Sequence, residues 1–212
     1  AGALAAVVSA YTLMVFLISV LLGLAMGSGT VFSLHYGAGN HVALRRSIFS
    51  SFVLIGIVTL ILNVAVFIWI DPILRLLQVP QDIYGMMRSY LWIIFCGIVF
   101  TFIYNFYASL LRAVGDSVTP LWFLAVSVVL NIALDLFFIL QLDWGIQGAA
   151  AATVFAQGVA ALGIIIYTYR RRPELRWHHE DMCFDRTCLK EIASFSTLTC
   201  VQQSVMNLGI LM

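Results

Sequence analysis

Residues Leu121 to Leu142 read LWFLAVSVVLNIALDLFFILQL, an apolar run broken only by Ser127, Asn131, Asp135 and Gln141. A run of about twenty apolar residues is long enough to cross a bilayer as a helix. Asp135 is the only acidic residue well inside any such run of this chain. A carboxylate at that depth costs roughly 2.5–3.5 kcal/mol on insertion scales, so it faces other helices or water and marks a functional site. One helical turn separates Asn131 from Asp135 and another separates Ser127 from Asn131. All three therefore share one face.

Composition sets the solvent around that run. Of 212 residues, 62% are hydrophobic and 10% charged, with a mean hydropathy of +1.02. A soluble domain carries about a quarter of its residues charged, so the chain reads as an all-α, polytopic transmembrane bundle. A net charge of +1 gives no reason to expect a nucleic-acid partner; the bilayer is the expected partner. The chain opens inside an apolar segment and stops inside another, and reads as a fragment of a longer protein.

Working outward from Leu121–Leu142, five more apolar runs appear: Leu4 to Leu34, Ile48 to Ile70, Tyr90 to Leu111, Gly145 to Tyr169 and Ile192 to Met212. About six membrane helices follow. All four prolines fall between runs, where the loss of a backbone donor does least harm. The stretch Asp71 to Arg88, with Asp71-Pro72 and Val79-Pro80, has room for a short interfacial helix. Gly115-Asp116-Ser117-Val118-Thr119-Pro120 reads as a helix stop, a turn and a new start with Pro120 at the first helical position. Leu142-Asp143-Trp144-Gly145 is so short that the helices it joins must be antiparallel neighbours. Basic residues orient the bundle. Alternation puts Arg45, Arg46, Arg112, Arg170, Arg171, Arg172, Arg176, Arg186 and Lys190 on one side, and only Arg75 and Arg88 on the other; the first side is then cytoplasmic.

Polar residues within the runs are the site candidates. Thr153 and Gln157 lie one turn apart on the run beside Asp135, with Thr153 expected at a depth comparable with Asp135. Hydroxyl, carboxamide and carboxylate oxygens are the ligands a hard monovalent cation prefers. Desolvation would also fit Asp135 to take up a proton near neutral pH. Asn105, with Tyr104 and Tyr107, can line a cavity or make contacts between helices. Tyr11, Thr12 and Asn63 read as packing or cavity lining, and Gln202, Gln203 and Asn207 as a polar stripe on the last run. Gly23 and Gly27, and Gly148, Ala152, Ala156 and Ala160, form small-residue faces that let helices approach closely. Cys96 and Cys200 sit in apolar runs as small hydrophobes; His178, His179, Cys183 and Cys188 match no standard zinc spacing. No phosphate loop, HExxH or GxSxG is present, so no enzymatic activity is read from the sequence and work must come from an ion gradient.

Three stretches in this order carry a resemblance: Gly23-Leu24-Ala25-Met26-Gly27-Ser28-Gly29 leading to Tyr36-Gly37-Ala38-Gly39-Asn40; Leu111-Arg112-Ala113-Val114-Gly115-Asp116-Ser117-Val118-Thr119-Pro120; and Asn131 to Asp135 followed by Trp144-Gly145-Ile146-Gln147-Gly148-Ala149-Ala150. Together they resemble the multidrug and toxic compound extrusion (MATE) family. The resemblance implies a parent of twelve helices in two six-helix lobes, in a bacterial plasma (inner) membrane. Residues 1–170 would hold its second to sixth helices, 171–190 a cytoplasmic linker, and 191–212 the start of the seventh. It implies a sodium or proton site made by an aspartate of the first helix, which would precede Ala1, together with Asn131, Asp135 and Thr153. It further implies antiport of a cationic or amphipathic drug through a cavity to which Asn105, Tyr104 and Gln157 would contribute, completed by the remaining half of the parent. No cofactor beyond the coupling ion is implied. A lipid-linked precursor flippase of the same superfamily is the alternative, disfavoured because no lysine or arginine lies inside a run. A non-transporting scaffold is another, and it would tolerate loss of the Asp135 charge.

Overall fold

The computed structural model describes residues 2–76, 81–176 and 186–211. Six helices account for nearly all of them: α1 (Gly2–Gly37), α2 (His41–Leu76), α3 (Gln81–Ala113), α4 (Val118–Leu140), α5 (Gly145–Arg171) and α6 (Arg186–Leu211). A 3₁₀ turn at Pro173–Leu175 follows α5. Among the described residues, five segments are long and apolar enough to cross a membrane: Ile18–Gly37, His41–Pro72, Ile83–Ala113, Val118–Leu140 and Gly145–Arg171. The sixth run is helical as well, but α6 is not among the five.

Three local departures from the sequence reading have physical causes. Asp71-Pro72 does not end a helix. Instead α2 continues to Leu76 with Pro72 inside it, and Asp71 is clamped against α3 by the Tyr84 hydroxyl at 3.0 Å and Arg88 Nε at 2.9 Å. These charge-assisted bonds hold the extra turn in place despite the backbone donor that Pro72 removes. The room foreseen for an interfacial helix is therefore taken up by the extended ends of α2 and α3. Pro120 is the third residue of α4, one turn into the helix, and not the first. Val79-Pro80, His178, His179 and Cys183, and the side chains of Tyr11, Thr12, Arg186, Cys188, Gln203 and Asn207, lie outside the described residues.

The turn between α3 and α4 is built on Gly115, whose φ of +89° only glycine adopts without strain. Asp116 caps the new helix: its carboxylate accepts the Thr119 backbone N–H at 3.1 Å and the Thr119 hydroxyl at 2.8 Å, and the Tyr167 hydroxyl of α5 at 3.3 Å. Partial burial pushes the Asp116 carboxyl upward. The Thr119 and Tyr167 bonds and the nearby Arg172 charge outweigh it and hold the group below the usual carboxylate range. Because the folded-state value is the lower one, the stabilisation is complete above the ordinary aspartate range and disappears as pH falls through it toward the folded-state value. Thermal melts of the detergent-solubilised protein between pH 6 and 3 should show a slope that Asp116→Asn reduces; an identical slope in the variant would remove Asp116 from the account.

The core lies between α1, α2 and α3. Phe32 meets Phe106 edge to face at 5.8 Å, and Phe106 meets Phe52 at 5.3 Å. Asn63, buried on α2, donates to the Phe95 carbonyl of α3 at 2.7 Å, so it is a packing residue. Beyond the end of α5, Leu175 turns back and is buried among Ile48, Tyr107, Leu110 and Thr168.

Along the other side of α1 runs α6. Ser196 and Cys200 of α6 face Gly27 and Gly23, and the Cys200 thiol reaches the Val20 carbonyl at 3.4 Å. A Cβ built on Gly27 would stand 2.5 Å from Ser196 Cα, and one on Gly23 would stand 2.7 Å from Cys200 Cα. Both glycines are needed for this approach of backbone to backbone.

α5 packs between α3 and α4, using the small-residue face that contains Gly148, Ala152, Ala156 and Ala160, all buried. α4 itself rests on α5 and touches α3 only lightly. Trp122, Val129 and Leu140 on its outer surface are 70%, 68% and 73% exposed, a lipid-facing pattern for a spanning helix. The turn joining α4 to α5 needs positive φ at Asp143 (55°) and at Gly145 (53°). Phe138 stacks on Trp144 across it at 5.4 Å. Among the described residues, no part of α1 approaches α4.

Candidate functional site

The gap between α1 and α4 is floored by α3 and α5, and forms an open cavity of about 350 Å³. Its polar lining comes from Thr101, Tyr104 and Asn105 on α3, Ser127 and Asn131 on α4, and Thr153 and Gln157 on α5. Its apolar lining includes Ile18 and Leu22 of α1 and Leu124 and Val128 of α4. Ser127 and Asn131 reach it because they share one helical face. The short turn after α4 brings α5 back antiparallel, so that residues near the start of α5 lie opposite those near the end of α4.

Asn131 and Thr153 meet directly. The Asn131 Nδ2 donates to Thr153 Oγ1 at 3.2 Å, while the Thr153 hydroxyl donates to its own helix at the Ala149 carbonyl, 3.0 Å away. This bond brings Thr153 of α5 against Asn131 of α4.

Asp135 is partly buried one turn further along α4 and is not among the residues lining the cavity. Its Oδ1 is fully shielded and, among the described residues, has no hydrogen-bond partner. Buried polar oxygens are almost always satisfied, so an orphaned carboxylate oxygen indicates a place for a proton, a cation or a donor. The donor set suits a hard cation: a carboxylate oxygen, a carboxamide oxygen and a hydroxyl oxygen, all on adjoining turns of α4 and α5.

Gln157, Tyr104 and Asn105 also come together, with different partners. The Thr101 hydroxyl donates to Gln157 Oε1, bridging α3 and α5. Asn105 Nδ2 donates to the Thr101 carbonyl at 2.8 Å, and the Tyr104 hydroxyl donates to the Pro120 carbonyl at 2.8 Å. Sequence reasoning missed Thr101. Its signal was its position one turn before Asn105, where a hydroxyl and a carboxamide share a helical face. Tyr107 is buried on the core side, away from the cavity, beside Leu175. Gln202 is exposed on α6.

A family model described as MatE matches residues 1–137. The chain is similar to "Probable multidrug resistance protein YpnP" of Bacillus subtilis, 36% identical over 172 residues, which covers 81% of this chain and 39% of that protein. It is also similar to "Probable multidrug resistance protein NorM" of Thermotoga maritima, 28% identical over 198 residues, covering 91% of this chain and 42% of that one. Among solved structures, a MATE in complex with MaL6 superposes with a TM-score of 0.91 at 23% identity, over 100% of this chain and 47% of the other. An inward-facing and an outward-facing conformation of a multidrug resistance MATE family transporter of the MOP superfamily give 0.88 and 0.87, both at 23% identity and over 98% and 99% of this chain. The chain spans about two fifths of the length of these curated relatives and about half of the solved chains.

Proposed function

Because the chain belongs to the MATE family, we propose that it forms one side of a secondary active transporter, a cation-coupled antiporter that exports drug-like cationic or amphipathic compounds across a cell membrane. In this reading residues 1–170, which hold α1 to α4 and all of α5 but its last residue, make up most of an amino-terminal lobe. Residues 171–190 are a cytoplasmic linker, and 191–212 open a second lobe supplied by the remaining half of the protein. Asp135, Asn131 and Thr153 bind the coupling ion, sodium or a proton. Asn105, Tyr104 and Gln157 line the path of the drug-like substrate. The relatives named as multidrug resistance proteins support the substrate class.

The observation that carries the proposal is the orphaned carboxylate oxygen of Asp135, one helical turn along α4 from Asn131, which with its partner Thr153 lines a cavity between helices. Ion and drug compete through the same wall. A cation at Asp135 draws on Asn131 and Thr153, and Asn131 also lines the cavity, so one bound species alters the surface offered to the other. Such exchange drives net export only where the ion binds the two access states with different affinity. Among the described residues no lysine or arginine lines the cavity, which argues against a flippase for anionic lipid-linked precursors.

Efflux of a fluorescent cation from proteoliposomes holding the full-length transporter, under imposed sodium and proton gradients in separate experiments, tests the proposal. Acceleration by one gradient, abolished by collapsing it, is the expected result and names the ion. Efflux indifferent to both gradients would sink the antiporter reading.

A further inference from the structure

At the end of the bundle opposite Arg112 and Arg170, the α4–α5 turn and the first turns of α5 face the start of α3 across an open groove of about 580 Å³. The placing of the basic residues makes this the outer end. The groove is polar at its mouth and apolar below. Asp143 lies between the spanning segments that stop at Leu140 and start at Gly145, and so at the level of lipid headgroups. Met86 and Ile93 belong to the span that starts at Ile83, and Ala151 to the one that starts at Gly145. They carry the wall from the interface into the hydrocarbon layer. Trp144, 54% exposed, stands at the boundary, where indole rings are favoured. Phe155, one turn beyond Ala151 and 57% exposed, continues the wall along a lipid-facing surface. Asp143 is the one ionised side chain of the described lining. Among the described residues its carboxylate has no hydrogen-bond or ion-pair partner. Asp71, on the same side of the membrane, is by contrast bonded to Tyr84 and Arg88, which also occupies the basic residue of α3 nearest in sequence to Met86. The turn that carries Asp143 is fixed beforehand: Phe138 stacks on Trp144, and the Phe138 carbonyl accepts the Trp144 backbone N–H at 3.1 Å.

We propose that this groove binds an outer-leaflet phospholipid with a primary-amine headgroup, of the phosphatidylethanolamine class. Asp143 receives the ammonium, the Gln147 carboxamide donates to the phosphodiester, and one acyl chain lies along Met86, Ile93 and Ala151. A lipid is the class of molecule that carries a charge at the interface and an apolar chain beneath it; a soluble amine would match Asp143 and leave the wall below unfilled. An ethanolamine ammonium gives the carboxylate a charge-assisted hydrogen bond, whereas a choline head has no N–H to give. The net negative charge of phosphatidylglycerol is set against Asp143. The bound lipid joins the α4–α5 turn to α3, which α4 itself touches only lightly. The inference needs the chain to span a bilayer and is independent of which ion, if any, drives transport.

The test reconstitutes the full-length protein in phosphatidylcholine vesicles. Each sample contains a trace of one diazirine-tagged phospholipid, with an ethanolamine, choline or glycerol head on the same chains. After illumination, mass spectrometry reads the labelling of the α3 peptide that holds Met86 and Ile93, relative to the exposed α2 face around Leu60 and Ile61. The ethanolamine probe should label the α3 peptide roughly fivefold more than the choline probe, the effect of one hydrogen-bonded ion pair at an exposed site, and the glycerol probe should label it least. Asp143→Asn should bring the ethanolamine probe down to the choline level. Asparagine accepts the positive φ at this position as readily as aspartate, so the variant keeps the turn. Equal labelling by the ethanolamine and choline probes on the unaltered protein would overturn the proposal, and so would a preference that survives Asp143→Asn. Displacement of the ethanolamine probe by an equal concentration of a water-soluble alkylamine would assign the groove to amines at large and overturn it too. Labelling is read without any gradient, so it stands or falls apart from the antiporter reading.

Discussion

Asp135→Asn is expected to reduce gradient-driven efflux by the full-length transporter to passive leak, roughly a hundredfold in initial rate, while leaving the protein folded. A ligand that binds two states equally shifts nothing between them, however tightly it binds. Removing the carboxylate that the described residues contribute to the candidate ion site removes a group that would tell those states apart. The substitution keeps the shape of the side chain. Oδ1 has no hydrogen-bond partner among the described residues, so no contact there is broken. An amide is also easier to hold at membrane depth than a carboxylate, so the melting midpoint should stay level or rise. This combination of lost coupling and retained stability is the signature of a functional acid. An aspartate present only to fix packing would give the reverse: undiminished efflux, or a loss of efflux that tracks a loss of folded protein. Asp135→Glu, which restores the charge on a longer stem, should recover part of the rate.

The second large effect concerns the contact of α1 with α6. Gly27→Ala places a methyl group 2.5 Å from Ser196 Cα and 2.6 Å from the Ser196 backbone nitrogen. Backbone cannot swing aside as a side-chain tip can, so the two helices must part along the contact. Overpacking of this kind costs roughly 1–3 kcal/mol, and a clash against main chain belongs at the upper end. For a protein of this size that is a fall of roughly 5–10 °C in melting midpoint. Gly37→Ala is the control, since a Cβ there meets nothing within 4 Å and surface changes of that sort stay within about 0.5 kcal/mol. Equal midpoints for the two variants would mean that α6 does not lie against α1 in the folded transporter.

Much of this fold can be read from apolar run lengths alone, because in lipid a spanning segment must satisfy its own backbone and so must be helical. The pairing of Asn131 with Thr153 was within reach too, through the four-residue spacing of Ser127, Asn131 and Asp135 and the shortness of the Asp143–Gly145 turn. Features that depend on a distant partner were not. Asp71-Pro72 has the composition of a break, yet the helix runs through it, with Asp71 bonded to Arg88 and Tyr84 of the next helix. Thr101 looks like one more hydroxyl in an apolar helix until Gln157 is brought against it from α5. The closeness of α1 to α6 is foreshadowed by Gly23 and Gly27, but a glycine face does not reveal which helix it receives.

The α4–α5 turn also bears on how the polypeptide enters the membrane. Two helices joined by so few residues leave the ribosome and the insertion machinery almost together, as a hairpin. Alone, α4 would have to partition with a carboxylate and a carboxamide facing lipid, at roughly 2.5–3.5 kcal/mol for the charge. With α5 beside it, Thr153 already accepts the Asn131 amide, and the small residues Gly148, Ala152 and Ala156 give α4 a surface to lie on. Asn131 is thereby partnered by the nearest segment in the chain, early in biogenesis, before any contact that spans the length of the protein can form.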